Sequence, residues 1–346
     1  MKSVDVLAIV EAAYRLEGTD GQWLAGIAEV CRAALDDGFG VCVFQFEHRM
    51  GEPPEVVRHS MLGIPDELSR IYESVFRGMA PDVQQRPFIY GPCTTGSEMM
   101  RQRADFIRNE HMQRHVHRFG MYDSVWITAA EPSGSGCGIH AGRSAVAWAS
   151  RPFKQRWGRI ASHLAAALRI RRRLQSVGES PAVEAVLSPQ GELLHAEGPA
   201  KQPHAIARLR RAVLDLEEVR GQQRHSARAT SLSRWQSLID ARWSLLDQFD
   251  HDGRRFVVAR ENAPRPPGPR ALTERERQVI AYAALGHDNK VIAYDLGIAH
   301  ATVKVLMARA ASKLGVKSRP DAIAAYLGAC GRAAAHERGA EALQRE

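Results

Sequence analysis

The stretch LTERERQVIAYAALGHDNKVIAYDLGIAHATVKVLMARAASKLGVKSR, residues 272–319, decides the reading of this chain. Thr273 precedes a helical run and Glu276 follows three positions later, a capping box in which each side chain satisfies one otherwise orphaned amide. Val279, Ile280 and Ala283 then make a buried face, and Gly286 ends the helix. Asp288 caps a short second helix whose Val291, Ile292 and Leu296 face inward, and Gly297 supplies the left-handed turn expected just past a helix end. Only Ile298 and Ala299 separate this helix from a third, at about His300 to Leu314. Val303, Met307, Ala310 and Leu314 share one face of the third helix, and Ala301, Lys304, Val305, Ala308 and Ser312 share the opposite one. A short crossed helix pair with small side chains leading suits the DNA major groove, because large side chains there would hold the backbone off the bases.

Charge agrees with an anionic partner. The chain carries +8, and +4 of that lies between Arg270 and Tyr326, where nine Lys/Arg face five acids. Lys290, Arg309, Lys313, Lys317 and Arg319 are the candidates for phosphate contacts, which position a domain without reading sequence. Lys304 is the candidate for base readout by donating to guanine O6 or N7, and Val305, Ala301 and Ala308 can meet thymine methyls. With so few polar groups on this face, modest direct specificity helped by DNA shape is expected.

These residues closely resemble the C-terminal helix-turn-helix domain of LuxR-type bacterial transcriptional regulators. The match runs through Leu272–Glu276, Gly286–Ala293, Leu296–Ile298, Thr302–Lys304 and Lys313–Arg319. The resemblance implies an all-α, four-helix domain at residues 271–330 that binds double-stranded DNA. It also implies that the positions of Lys304 and Val305 face the groove, with His300 and Thr302 beside them on the same helix. Three positions depart from the family's habit. Ala299 stands where a Ser N-cap is usual, a loss of about 0.5–2 kcal/mol of helix stability. Val291 replaces the usual Glu of the second helix, and Leu306 stands where His is common. A fourth helix begins at Pro320, with Ala322, Ile323, Tyr326 and Leu327 on one side. In the family this helix often pairs two domains across a two-fold site, and simple packing on the first helix is the competing reading. Residues 331–346 form an Ala- and charge-rich tail.

Upstream, four prolines between Glu261 and Arg270 mark an extended spacer, and a softer break lies near Ser176 to Pro181. These cuts leave units at 1–175 and 176–260. In the first, Asp20–Ala34 reads as helix and Phe39–Phe46 as a buried strand. Met121–Thr128 and Cys137–Ala149 read as strands joined through the turn at Pro132–Gly136, and a long helix spans about Pro152–Gln175. Along that helix Phe153, Trp157, Ile160, Leu164, Ala167, Arg171 and Leu174 alternate in steps of four and three, which fits packing on the unit's own sheet or a dimer seam. The second unit reads as strands at Val183–Leu187 and near Leu193, helices near His204–Val219 and Ala227–Ala241, and strands at Trp243–Phe249 and Arg255–Ala259. By element order the first unit resembles a GAF-like sensory domain and the second a PAS-like one. The fold class expected is therefore α+β multidomain, a sensory region followed by an all-α helix-turn-helix domain.

A sensory input needs a pocket, since a ligand shifts an equilibrium only through different affinities for two states. Phe44, Phe46, Tyr122 and Trp126 are candidates to line it, with core packing as the competing role. A partner protein in place of a small molecule is the alternative input, and an enzymatic N-terminal region is a further alternative.

Other chemistry is poorly represented. The five cysteines are scattered with no C-x-x-C pair, and no apolar run approaches the roughly 18 residues of a membrane span. The start of the chain lacks a secretory pattern, so a cytoplasmic location is expected. His111, His115 and His117 have partial ligand spacing but no completing carboxylate or Cys, so no metal is assigned. Cys137 and His140, three apart on a strand, point to opposite faces, against a catalytic pair. Gly134, Gly136 and Gly138 precede no helix and make no dinucleotide loop. The expectation is a homodimeric regulator with no cofactor and no enzymatic activity.

Overall fold

The structure, a computed structural model, describes residues 5–15, 17–47, 54–78, 91–100, 116–131, 134–175, 183–221, 243–249, 255–261 and 272–330. They mix helix and sheet and group into two compact units. One unit holds Met1–Ala165 together with Pro266–Ile292 and His300–Glu346, and the other holds Ala166–Arg265 with Ala293–Ala299. The break near Ser176 to Pro181, the proline-rich spacer beyond Glu261, the helix expected at Ala227–Ala241, the 331–346 tail, and His111 and His115 lie outside the described residues.

The first unit opens with helices α1 (Val6–Ala13) and α2 (Asp20–Leu35). Thr19 caps α2 in a full capping box with Gln22, and the buried Trp23 Nε1 donates to the carbonyl of Ala13 at 2.7 Å, tying the two helices together. Strands β1 (Val41–Glu47) and β2 (Glu55–Leu62) follow, then helix α3 (Asp66–Gly78), strand β3 (Cys93–Thr95) and the short helix α4 (Gly96–Met100). Strands β4 (Asp123–Ala130) and β5 (Ser135–Arg143) form the expected hairpin, with β5 ending at Arg143 and not at Ala149 as its apolar run suggests. The antiparallel sheet has the order β2-β1-β5-β4-β3.

Period-two alternation along β1 explains both faces of this sheet. Cys42, Phe44 and Phe46 point one way, and pair in register with His140, Gly138 and Gly136 of β5. A Cβ added at Gly138 would sit 2.2 Å from Phe44 Cζ, and one added at Gly136 would sit 2.3 Å from Phe46 Cζ. The strand glycines thus form a trough in which the two rings lie. Their sequence pattern has a packing reason.

Helix α5 (Arg151–Gln175) is buried on nearly every side from Trp157 to Arg171. Trp157, Ile160, Leu164, Ala167 and Arg171 are buried within the single chain, so the middle of this stripe is spent on packing, while Phe153 at its start is half-buried.

In the second unit, strands β6 (Val183–Leu187) and β7 (Leu193–Ala196), helix α6 (Pro203–Gly221), and strands β8 (Trp243–Phe249) and β9 (Arg255–Glu261) form an antiparallel sheet ordered β7-β6-β9-β8. Trp243 Nε1 donates to Glu184 Oε2 at 2.7 Å in its buried interior.

Two buried imidazoles should make the fold acid-sensitive. Burial holds His140 down to about 4 and His163, whose Nδ1 lies 3.3 Å from the Tyr14 hydroxyl, down to about 3. The unfolded chain takes up both protons near the ordinary value of 6.5, above the folded values. Stability is therefore fully present above that value and falls as pH drops below it, by up to about 1.4 kcal/mol per pH unit per histidine. Denaturant unfolding at pH 7 and pH 5 should show this loss, and His163→Phe should remove one histidine's share of the slope. An unchanged slope in that variant contradicts the assignment.

Candidate nucleic-acid interface

Helices α7 (Glu274–Ala284), α8 (Asn289–Asp295), α9 (His300–Lys313) and α10 (319–330) make up the C-terminal region. The capping box at its start is present as read. Thr273 Oγ1 accepts from the Glu276 amide, and Glu276 Oε2 accepts from the Thr273 amide at 2.8 Å. Asp288 Oδ1 accepts from the amides of Lys290 and Val291 at 2.8 and 2.9 Å, capping α8. Gly286 (φ 79°) and Gly297 (φ 61°) take the left-handed conformation that lets the chain reverse. The next amides, of His287 and Ile298, then close back on the carbonyls of Tyr282 and Ala293 at 3.1 and 3.0 Å.

Four residues, 296–299, join α8 to α9, and the chain bends by 105° between the two helices. A turn of this length with a glycine and a near-perpendicular crossing is the helix-turn-helix geometry. Val303, Met307 and Ala310 of α9 are buried, and Leu272, Ile280, Ala310, Ala311, Ala322 and Tyr326 join into one core under it. Ala322 and Tyr326 of α10 thus pack inside this domain.

The opposite face of α9 is open. His300, Ala301, Thr302, Lys304, Val305, Ala308, Arg309 and Ser312 are all exposed, and Val305, at 48%, is among the large apolar side chains left in solvent. The phosphate candidates divide into two groups. Lys290, Arg309 and Lys317 are exposed and make no ion pair among the described residues, as is also true of Lys304. Lys313 Nζ instead lies 2.8 Å from Glu276 Oε2. Desolvation of Glu276 is outweighed by the Lys313 ammonium and the Thr273 donors, which hold its carboxyl below the usual carboxylate range. Arg319 is half-buried and donates to Asn289 Oδ1 at 2.6 Å and to the His287 carbonyl at 2.5 Å, pinning the start of α10 to α8. Burial pulls its guanidinium below the usual arginine range. Sequence spacing alone could not separate these two tied cations from the other three.

Ala299 leaves the first turn of α9 without a side-chain acceptor at the cap position. Ala299→Ser should stabilise the domain by about 0.5–2 kcal/mol, read as a raised unfolding midpoint. A lowered midpoint would show that this turn needs no cap.

Of the pocket candidates, Phe44 and Phe46 are buried with Cys42 and Ala130, and Trp126 packs against that cluster. Tyr122 stands apart, 48% exposed, with its ring 5.2 Å from that of His117. His140, weighed in the sequence only as a partner of Cys137, and Tyr72, not singled out there, lie beside Trp126 at the edge of this cluster. The His140 ring lies 4.4 Å from Trp126 and 5.0 Å from Tyr72 of α3. The sequence signal for His140 is parity, since His140 and Trp126 pair across the hairpin and share a face.

Among the described residues, no single helix is long and apolar enough to cross a membrane. Residues 270–326 match the pattern of the bacterial regulatory proteins of the luxR family. The transcriptional regulatory protein FixJ of Azorhizobium caulinodans is 41% identical over 87 residues, which is 25% of this chain. The chain spans about 40% of that relative's length. The crystal structure of Escherichia coli SdiA aligns over 94% of this chain and 96% of its own, at 11% identity and a TM-score of 0.34. The capped helices, the perpendicular crossing and the matched pattern agree: residues 270–326 are a helix-turn-helix domain of the luxR family of bacterial regulatory proteins.

Proposed function

We propose that this chain is a bacterial transcriptional regulator that reads promoter DNA through α9 and is controlled by its N-terminal residues. The open face of α9 carries this reading: a lysine among small side chains, with the opposite face buried. Lys304 donates to a guanine edge, Val305, Ala301 and Ala308 meet thymine methyls, and His300 and Thr302 flank the contact. Lys290, Arg309 and Lys317 hold phosphates, with Lys313 and Arg319 serving first to fix the helices that present them. Residues 1–175 act as a GAF-like and 176–260 as a PAS-like sensory domain, 261–270 as the spacer, and 271–330 as the DNA-binding domain. The protein works as a cytoplasmic homodimer, without enzymatic activity. Its input is a small molecule whose apolar body meets Phe44, Phe46 and Trp126, a reading supported by their clustering on one sheet face beside His140.

Lys304→Ala tests the DNA contact. A bidentate base contact is worth about 1–3 kcal/mol, so affinity for a selected duplex should fall between about 5- and 150-fold, with preference relaxed at one base position. Unchanged affinity and selectivity in a gel-shift titration refute the role.

A further inference from the structure

Val291 departs from the family's usual Glu, and its surroundings give the reason. It is 5% exposed, and a Cβ added at Gly158 of α5 would lie 3.1 Å from Val291 Cγ2 and 3.4 Å from Pro92 Cγ. Two further contacts lie on the same side of the helix-turn-helix domain. Leu285, just past the end of α7, packs against the cluster of Cys42, Phe44, Phe46 and Ala130 on the sheet. The Gly286 carbonyl oxygen would lie 2.9 Å from a Cβ at Gly91, so the two backbones approach as only glycine allows there. All these residues belong to the first compact unit. A carboxylate at 291 would be desolvated against Pro92 and the α5 backbone, whereas valine fits.

We propose that Leu285, Gly286 and Val291 form a docking surface by which the first domain's sheet and α5 hold the helix-turn-helix domain. The dock leaves the DNA-facing side of α9 open, since Lys304, Val305 and Ala308 stay exposed. It therefore positions the domain without masking it. Leu285 also packs against the cluster that contains the rings proposed to meet the input, so repacking of that cluster changes the strength of the dock.

Two measurements on the full chain test the dock, neither involving DNA, so they stand or fall independently of the DNA-binding reading. In the first, Gly158→Cys and Val291→Cys are combined and oxidised, and intact mass with a monomeric gel position reports closure within one chain. In the second, Val291→Glu restores the family's usual residue, and thiol labelling of Cys42 is followed by peptide mass. Cys42 is buried in the cluster against which Leu285 packs, while the fully buried Cys31 and Cys137 serve as internal references. Closure of the cysteine pair is expected, with Cys42 labelling at least about tenfold faster in Val291→Glu, because labelling tracks the open population. A pair that stays reduced, or Cys42 labelling that keeps its parental ratio to Cys31 and Cys137, overturns the proposal. If Val291→Glu does not fold, the cysteine pair decides alone.

Discussion

Ala308→Phe is expected to cut sequence-specific DNA affinity by on the order of 100-fold while leaving the fold intact, because a ring on this face removes the equivalent of one or two base contacts. Position 308 is exposed on the outward face of α9, so nothing in the domain's core registers the added ring. Its unfolding free energy should stay within about 0.5 kcal/mol of the parent, as for other surface substitutions. In the groove the same ring pushes the α9 backbone away from the base edges. The loss falls on specific binding, since Lys290, Arg309 and Lys317 still reach phosphates and retain the salt-dependent component. Gel-shift titrations against a selected and a scrambled duplex, with a thermal melt, check both parts. Parental specificity in Ala308→Phe contradicts the proposed docking face.

Gly138→Val should carry the largest stability cost in the first domain. Even a single Cβ there would meet Phe44 Cζ at 2.2 Å, and valine adds two methyl groups beyond it. Overpacking typically costs about 1–3 kcal/mol and occasionally more, and the central strand pairing on both sides leaves β5 little room to shift. The expected loss is about 3 kcal/mol, read from denaturant midpoints. Because the clash has one named partner, Phe44→Ala in the same chain should recover part of it, giving a coupling of about 0.5–3 kcal/mol. Strict additivity of the two changes contradicts the trough described for Phe44.

The C-terminal domain was legible because its signals are local. Capping pairs three residues apart, glycines just past helix ends and a helical apolar period fix each element within a few residues, and Thr273, Glu276, Asp288, Gly286 and Gly297 all do what their spacing implied. The hairpin β4–β5 and the strands of the second unit were legible for the same reason. Strand β2 was not, because its first five residues are exposed at a sheet edge and impose no apolar alternation. The partners of Lys313 and Arg319 were hidden in a different way. Lys313 meets Glu276 across 37 positions, and Arg319 meets Asn289 across 30, separations that no spacing rule addresses. The role of Val291 was equally non-local: the sequence marked it as a departure, and only the approach of Gly158 explains it. The glycines of β5 were read as a negative, no nucleotide loop, until their register against Phe44 and Phe46 supplied the positive reason.

Contact between the outward side of α9 and base edges can be checked by selecting binding sites from a randomised duplex pool. The full chain and the double variant Lys304→Ala/Val305→Ala are run in parallel. The parent should enrich a defined sequence, and the variant should lose preference at adjacent positions within it while still retaining DNA through phosphate contacts. Identical enriched sequences from both proteins, at equal affinity, would show that α9 does not read the bases.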